Sequence, residues 1–400
     1  MTLDVLIIGG GPSGATTALL LAEAGWSVGL VEKKIFPRRK VCGEFISVTS
    51  LPLLQKLGLE EFYLKNGGPE IQKVGLYADD VILTANMPST ETSKNLWGRA
   101  LAREYLDTKL IDKAKLEGVR VWQPCEALSL HQSKDGLFTC SVKGNNKITM
   151  ITASLIVVAN GSWEKRIDQV ENKMHRDSEL LAFKAHFKNA TLPENLMPLL
   201  AFPGGYGGIV HSSMEKVTLS CCIRRSLLRE LRLKNPGIHA GDTVYQYILS
   251  QCRGAREVLG CAEREGNWLA VGPIKPGIRS CYQNGIFFVG NIAGEAHPIV
   301  AEGISMAMQS AWLLSRCLIH FKLNIRGGNY RDDAGAYYTK QWRKYFSSRI
   351  HAASFFAQLA MMKPWSRSLL LPIIKQFPTI LTLGAQLSGK IQHVMPIEEI

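Results

Sequence analysis

Gly9, Gly11 and Gly14 fall at the spacing G-x-G-x-x-G, where the apolar run Leu3 to Ile8 meets the Ala- and Leu-rich stretch from Pro12 to Gly25. The first glycine allows a tight turn, the second lets a pyrophosphate approach the backbone, and the third lets helix and strand pack closely. The helix that follows would aim free N–H groups and the positive end of its dipole at phosphates, with Ser13 in its first turn. Val28 to Val31 reads as the next strand and ends at Glu32, an acid that can accept hydrogen bonds from an adenosine ribose and disfavours a 2′-phosphate. Strand, turn, helix, strand and acid together point to bound NAD or FAD.

A second stretch, "GIFFVGNIAGEAHPIVAEGISMA" from Gly285 to Ala307, repeats the logic far along the chain. Ile286 to Val289 is an apolar strand that Gly290 and Asn291 end, and Ile304, Ala307, Met308 and Ala311 follow at helical spacing. Two side chains are candidates for chemistry. Cys42 follows Arg38, Arg39 and Lys40, whose field could lower a thiol pKa, although a cysteine there is more often a small packing residue. Tyr206 stands among four glycines in "PGGYGG", which suit either a flat backbone surface over a cofactor or a plain sheet turn. Cys221 and Cys222 adjoin, but no C-x-x-C occurs among the nine cysteines and no metal is assigned.

Four separated segments carry a resemblance. "FPRRKVCGEFIS" (Phe36 to Ser47) resembles the P-R-x-K-x-C-G segment of the geranylgeranyl reductase family, within the p-hydroxybenzoate-hydroxylase-like superfamily of FAD oxidoreductases. "LAREYLDTKLIDKA" is similar to that superfamily's Arg-to-Asp-x-x-Leu helix, matching Arg103, Asp107 and Leu110. "ASLIVVANGS" resembles its strand ending in Ala-x-Gly, and the stretch at Gly290 resembles its second FAD motif. The resemblance implies FAD, with one turn for the pyrophosphate and the other for the ribityl chain and flavin. It further implies that the helix after Gly303 points its N-terminus at the part of the flavin where negative charge collects on reduction. The cofactor contacts so expected are Gly9, Gly11, Ser13, Gly14, Glu32, Lys40, Arg103, Asn291, Gly303 and Ile304, with Cys42 and Tyr206 as catalytic candidates.

The chain departs from the pattern in places. Asn291 stands where the family has Asp, removing a negative charge near the flavin, and Asn160-Gly161 stands where hydroxylases have Asp-Gly. "AFPGGYGGIVH" keeps Tyr206 but has Gly208, Val210 and His211 for the reductases' Trp, Phe and Pro. The Trp-x-Trp-x-Ile-Pro signature of tryptophan halogenases is absent, which makes halogenation the weakest enzymatic reading. His297, His211 and Arg224 are polar candidates without an assignable role.

These residues must be positioned by an α/β fold: a discontinuous Rossmann-type FAD-binding domain (1–75, 97–162 and 278–325), an inserted β-sheet substrate domain (76–96 and 163–277), and a helical C-terminal region (326–400). At 46% apolar and 20% charged residues the composition is that of a globular protein. The net charge of +13 is uneven: between Ala334 and Ile397 there are eight Lys or Arg and no Asp or Glu. That apolar, basic tail fits either a helical layer with a solvated basic face or peripheral contact with an anionic membrane. No binding motif accompanies the charge, so nucleic acid is not an expected partner. The N-terminus lacks the pattern of a signal peptide and no window reads as a spanning helix, so a cytoplasmic location is expected, with peripheral membrane association as its variant. Three functions stay open: a monooxygenase that uses NAD(P)H and hydroxylates a lipophilic aromatic or polyketide-like substrate, a reductase of isoprenoid double bonds, and a flavoprotein that relays electrons to a partner.

Overall fold

The strand Leu3–Ile8 shows no alternation of apolar and polar residues, the pattern of a strand covered on both faces. In the computed structural model it lies inside an eight-stranded sheet. The structure describes residues 2–89, 96–145, 147–162, 178–325, 330–391 and 394. The sheet order is Tyr282–Gln283, Ile286–Phe288, Lys147–Val158, Leu3–Ile8, Val28–Val31 and Arg120–Trp122, and the hairpin Glu126–Gln132 and Phe138–Gly144 joins the edge of Lys147–Val158. The four pairings from Ile286–Phe288 across to Arg120–Trp122 are parallel. The strand before the second glycine turn therefore lies beside the one that ends at Ala159. The helix Pro12–Glu23 opens on a proline, whose fixed φ and missing N–H suit a first turn, and stops before Gly25 at φ +78°. It packs against Arg103–Leu116 and Gly303–Ile325, so both turns are braced by the same helix. This is a Rossmann-type architecture.

A seven-stranded second sheet runs Glu263–Ile274, Leu180–Lys188, Val217–Arg224, Gly205–His211, Leu196–Phe202, Lys73–Ala78 and Val81–Asn86. The strand Lys73–Ala78 pairs in parallel with Leu196–Phe202 and antiparallel with Val81–Asn86. One face packs on the helices Arg225–Lys234, Ala240–Gln251 and Arg253–Leu259 through residues such as Phe187, Phe202, Ile248 and Leu259. The region between the two FAD-binding halves is thus sheet plus helices. Its other face meets the long C-terminal helix Tyr330–Ala360, where Ala353 and Ala357 bring the helix close to Ala182, Ala201 and Tyr206. Pro364–Gln376 and Thr379–Leu387 complete the helical tail. The expected boundaries at 163 and 326 lie outside the described residues.

Three of the eight tail bases turn inward. Arg349, Arg367 and Lys390 are buried. Arg367 pairs with Asp79, Arg349 donates to Gln309 Oε1 at 2.9 Å, and Lys390 Nζ reaches Glu302 Oε1 at 2.8 Å. A buried cation persists only where carboxylates or carbonyls replace its water. Lys340, Arg343, Lys344, Lys363 and Lys375 remain exposed.

Candidate cofactor and substrate site

Three remote segments close on one point. Gly9 has φ +110°, and a Cβ there would lie 2.6 Å from the carbonyl of Ala159. A Cβ on Gly14 would lie 1.9 Å from Gly9 O, and one on Gly290, at φ +73°, would lie 2.5 Å from Ser13 Oγ. The second turn therefore rests directly on the first. Gly11 and Gly303 behave differently: a Gly11 Cβ would meet only Arg103 Nη2, at 3.8 Å, and a Gly303 Cβ nothing within 4 Å. Both border a cavity of about 1040 Å³. The backbone is bare where a ligand would approach and crowded where the turns pack on each other, so these residues fit a long dinucleotide such as FAD.

Glu32 ends the cavity on one side. Its carboxylate accepts from the N–H of Gly10 and of Lys34, each at 2.7 Å, which fixes it while leaving oxygen lone pairs for a ribose. Arg103 is buried in a bidentate pair with Asp107, 2.7 Å for both bonds, and Arg38 reaches the same carboxylate at 3.7 Å. Lys40 is half-buried beside Gly161. Burial, then the neighbouring Arg103 and Arg38, push its ammonium down to about 8.

Cys42 lines the cavity, half-buried, and its Sγ accepts the N–H of Glu44 at 3.3 Å. The bases expected to act on it are directed elsewhere: Arg38 toward Asp107 and Glu32, Arg39 toward His186 at 3.1 Å. Its cationic neighbour is Arg103.

Glu44, unnoticed in the sequence, anchors the junction of the two sheets. It is buried at φ +65°, pairs with Lys184, accepts from Thr218 Oγ1 at 2.8 Å and the Arg103 N–H at 3.2 Å, and lies 3.4 Å from His186 Nε2. Burial pushes its carboxyl up, but His186 and Lys184 outweigh that and hold it at about 2.

On the far side the cavity passes under the second sheet. Tyr206 is buried there, its hydroxyl 3.1 Å from His297 Nδ1. Burial pushes the phenol well above its ordinary value and the imidazole down to about 4, so both are neutral. Which of the two donates follows the imidazole tautomer: the phenol O–H donates to a bare Nδ1, or Nδ1–H donates to the phenol oxygen. Met197, Leu199, Ile209, Val210 and Leu269 give the surrounding wall its apolar character. His211 donates to Leu192 O at 2.8 Å and does not line this cavity, and Arg224 lines a separate surface hollow.

At the second turn Asn291 Nδ2 donates to Glu295 Oε1 at 3.2 Å, and Arg279 lies 3.6 Å from Oε2. The carboxyl beside position 291 is that of Glu295, four residues later, and it is held by the Asn291 amide. Burial raises the Glu295 pKa. Gly303 and Ile304 begin the following helix and line the cavity. Just before them, buried Glu302 takes Lys390 at 2.8 Å and Ser47 Oγ at 3.2 Å, so the tail of the chain pins the second turn.

Residues 2–328 match the model of a family described as "FAD binding domain". The chain belongs to this family. Among curated relatives, Conditioned medium factor receptor 1 of Dictyostelium discoideum is 26% identical over 341 residues, 79% of this chain and 63% of that protein. Digeranylgeranylglycerophospholipid reductase of Picrophilus torridus is 28% identical over 163 residues, 40% of this chain and 39% of that one. The chain spans less than two thirds of the length of both. A solved flavin-dependent brominase matches at TM-score 0.75 and 19% identity over 98% of this chain and 94% of its own, a likeness of fold. FAD binding domain membership agrees with both glycine turns.

Proposed function

We propose that the protein is an FAD-dependent monooxygenase that hydroxylates a lipophilic, oxygen-bearing aromatic or polyketide-like substrate with NAD(P)H and O2. One observation carries this reading: the neutral Tyr206–His297 pair beside the apolar side chains of Met197, Leu199, Ile209, Val210 and Leu269, in the same cavity as both glycine turns. Apolar side chains around a convergent polar pair suit a greasy molecule with an oxygen function to orient. Gly11 and the helix starts at Pro12 and Gly303 would hold the cofactor, Glu32 and Lys40 flanking it, with Asn291 and Glu295 at the flavin end. Bound FAD would supply two-electron chemistry, taking electrons from a nicotinamide and passing them on. The protein's own part is to fix the substrate oxygen by hydrogen bonding at the Tyr206–His297 pair and to exclude water with the second sheet. The net reaction is R–H + O2 + NAD(P)H + H⁺ → R–OH + H2O + NAD(P)⁺.

A second reading, saturation of isoprenoid double bonds, draws on the Pro37-Arg38-x-Lys40-x-Cys42-Gly43 segment, whose later residues line the cavity, and on the Picrophilus reductase relative. Product mass separates the two. Incubation of the FAD-loaded protein with NAD(P)H and a panel of phenolic and prenyl lipids yields, on the first reading, a product heavier by one oxygen atom and only in air. Anaerobic formation of a product heavier by two hydrogens overturns it in favour of the second.

A further inference from the structure

The paired helices Pro364–Gln376 and Thr379–Leu387 leave an apolar face without cover. Trp365, Leu369, Ile373 and Phe377 recur every fourth residue and form one stripe, each more than half exposed. Leu383 and Leu387 continue it on the next helix, equally exposed, with Ile380 beside them. Scattered exposed apolar residues need no explanation, but seven on one pair of helices mark an interaction surface. Their other sides are spoken for: Arg367 and Leu371 on the first helix and Ala385 on the second are buried, Ala385 in a cluster with Phe45, Met197 and Val210 of the cavity wall.

We propose that this helix pair docks the protein flat on an anionic lipid bilayer. Charge selects that occupant. Lys363 and Lys375 are exposed on the same helix as the stripe, and no Asp or Glu occurs from residue 334 to residue 397. Apolar side chains buried at the acyl boundary, with lysines near the anionic headgroups, give the signature of an interfacial helix. A second copy fits worse, because its own lysines would meet these across the contact with no acid to pair them. Crossing is not what the geometry offers: among the described residues no single helix is long and apolar enough to span a membrane, and this pair is bent by 101°. Docking in this plane sets the bilayer beside the end of the cavity that Met197 and Val210 wall. The proposal does not depend on the monooxygenase reading.

The test is co-sedimentation of the FAD-loaded full chain with vesicles of phosphatidylcholine alone or with roughly one third phosphatidylglycerol. The protein is expected to pellet with the anionic vesicles at least about tenfold more than with neutral ones, and less as salt screens the lysines. The double variant Leu369→Glu/Phe377→Glu, at two exposed positions, should keep its flavin and its unfolding midpoint and lose the pelleting. Wild-type protein that stays in solution with anionic vesicles, or a double variant that pellets as well as wild type, overturns the proposal. So does a dimer without lipid that the double variant dissolves, which would assign the face to a second copy.

Discussion

Asn291 Nδ2 and Glu295 Oε1 stand 3.2 Å apart at the turn assigned to the flavin, so the amide orients a carboxylate whose pKa burial has raised. Asn291→Asp would set two carboxylates against each other, and such a pair shares one proton until the pH passes its raised upper pKa. The flavin midpoint potential of Asn291→Asp should match wild type at low pH and fall below it as pH rises and the pair loses that proton. Spectroelectrochemical titration at several pH values checks this; equal potentials throughout would show that position 291 does not act on the flavin.

Lys40 tests the electrostatics of cofactor binding. With its folded pKa lowered from the usual lysine value to about 8, it is charged below that pH and neutral above it. An anionic cofactor binds the charged form better, so FAD affinity should decline as pH rises through about 8, and Lys40→Met should remove the decline while binding more weakly below it. Fluorescence titration of apoprotein from pH 6 to 9.5 reads the outcome, and a wild-type affinity independent of pH would contradict the role.

The pair Lys390–Glu302 ties the C-terminus to the second turn, with both side chains buried. Lys390→Met leaves the carboxylate without its cation and should cost about 3–5 kcal/mol of stability, since breaking one side of a buried pair strands the other. Urea unfolding of the apoprotein measures it, and Lys390→Met combined with Glu302→Gln should recover part of the loss. An unchanged midpoint for Lys390→Met would mean that the pair carries no stability.

Tyr206→Phe removes the hydroxyl that faces His297 Nδ1 and should lower kcat/KM by about 10–100-fold, about 1.4–2.7 kcal/mol of substrate orientation, with FAD content intact. Because the folded pKa of His297 is depressed to about 4, its ring is neutral above that pH and adds no inflection near 6.5 to the rate profile. The same depression contributes stability that is present above the unfolded value and lost as pH falls through about 4. Steady-state kinetics from pH 5 to 8 decide; a wild-type profile that breaks at the ordinary histidine pKa would show an exposed, titrating imidazole.

What was legible in the sequence is what short-range pattern encodes. Leu3–Ile8, the Gly9 turn, the helix from Pro12 and the strand ending at Glu32 are contiguous, and their spacing alone states the geometry. Ile286–Phe288 and the helix from Gly303 were readable for the same reason. The Glu44 cluster was not, because Lys184, His186 and Thr218 reach it from strands remote in the chain, and no periodicity announces that meeting. The inward turn of Arg349, Arg367 and Lys390 escaped notice likewise: a basic residue at a helix position looks the same whether its carboxylate partner lies across the molecule or not. Glu295 and His297 stood inside the second motif, and only their contacts with Asn291 and Tyr206 give them work.

The central claim is that one FAD spans both glycine turns, with its adenosine end at Glu32. Calorimetric titration of flavin-free protein with FAD and, separately, with FMN tests it most directly. The account predicts one FAD per chain, FMN at least roughly a hundredfold weaker, about 2.7 kcal/mol, for want of the adenosine contacts, and a large loss of FAD affinity in Gly14→Ala, whose methyl would collide with Gly9 O. Absence of FAD binding, or FMN bound as tightly as FAD, would contradict it.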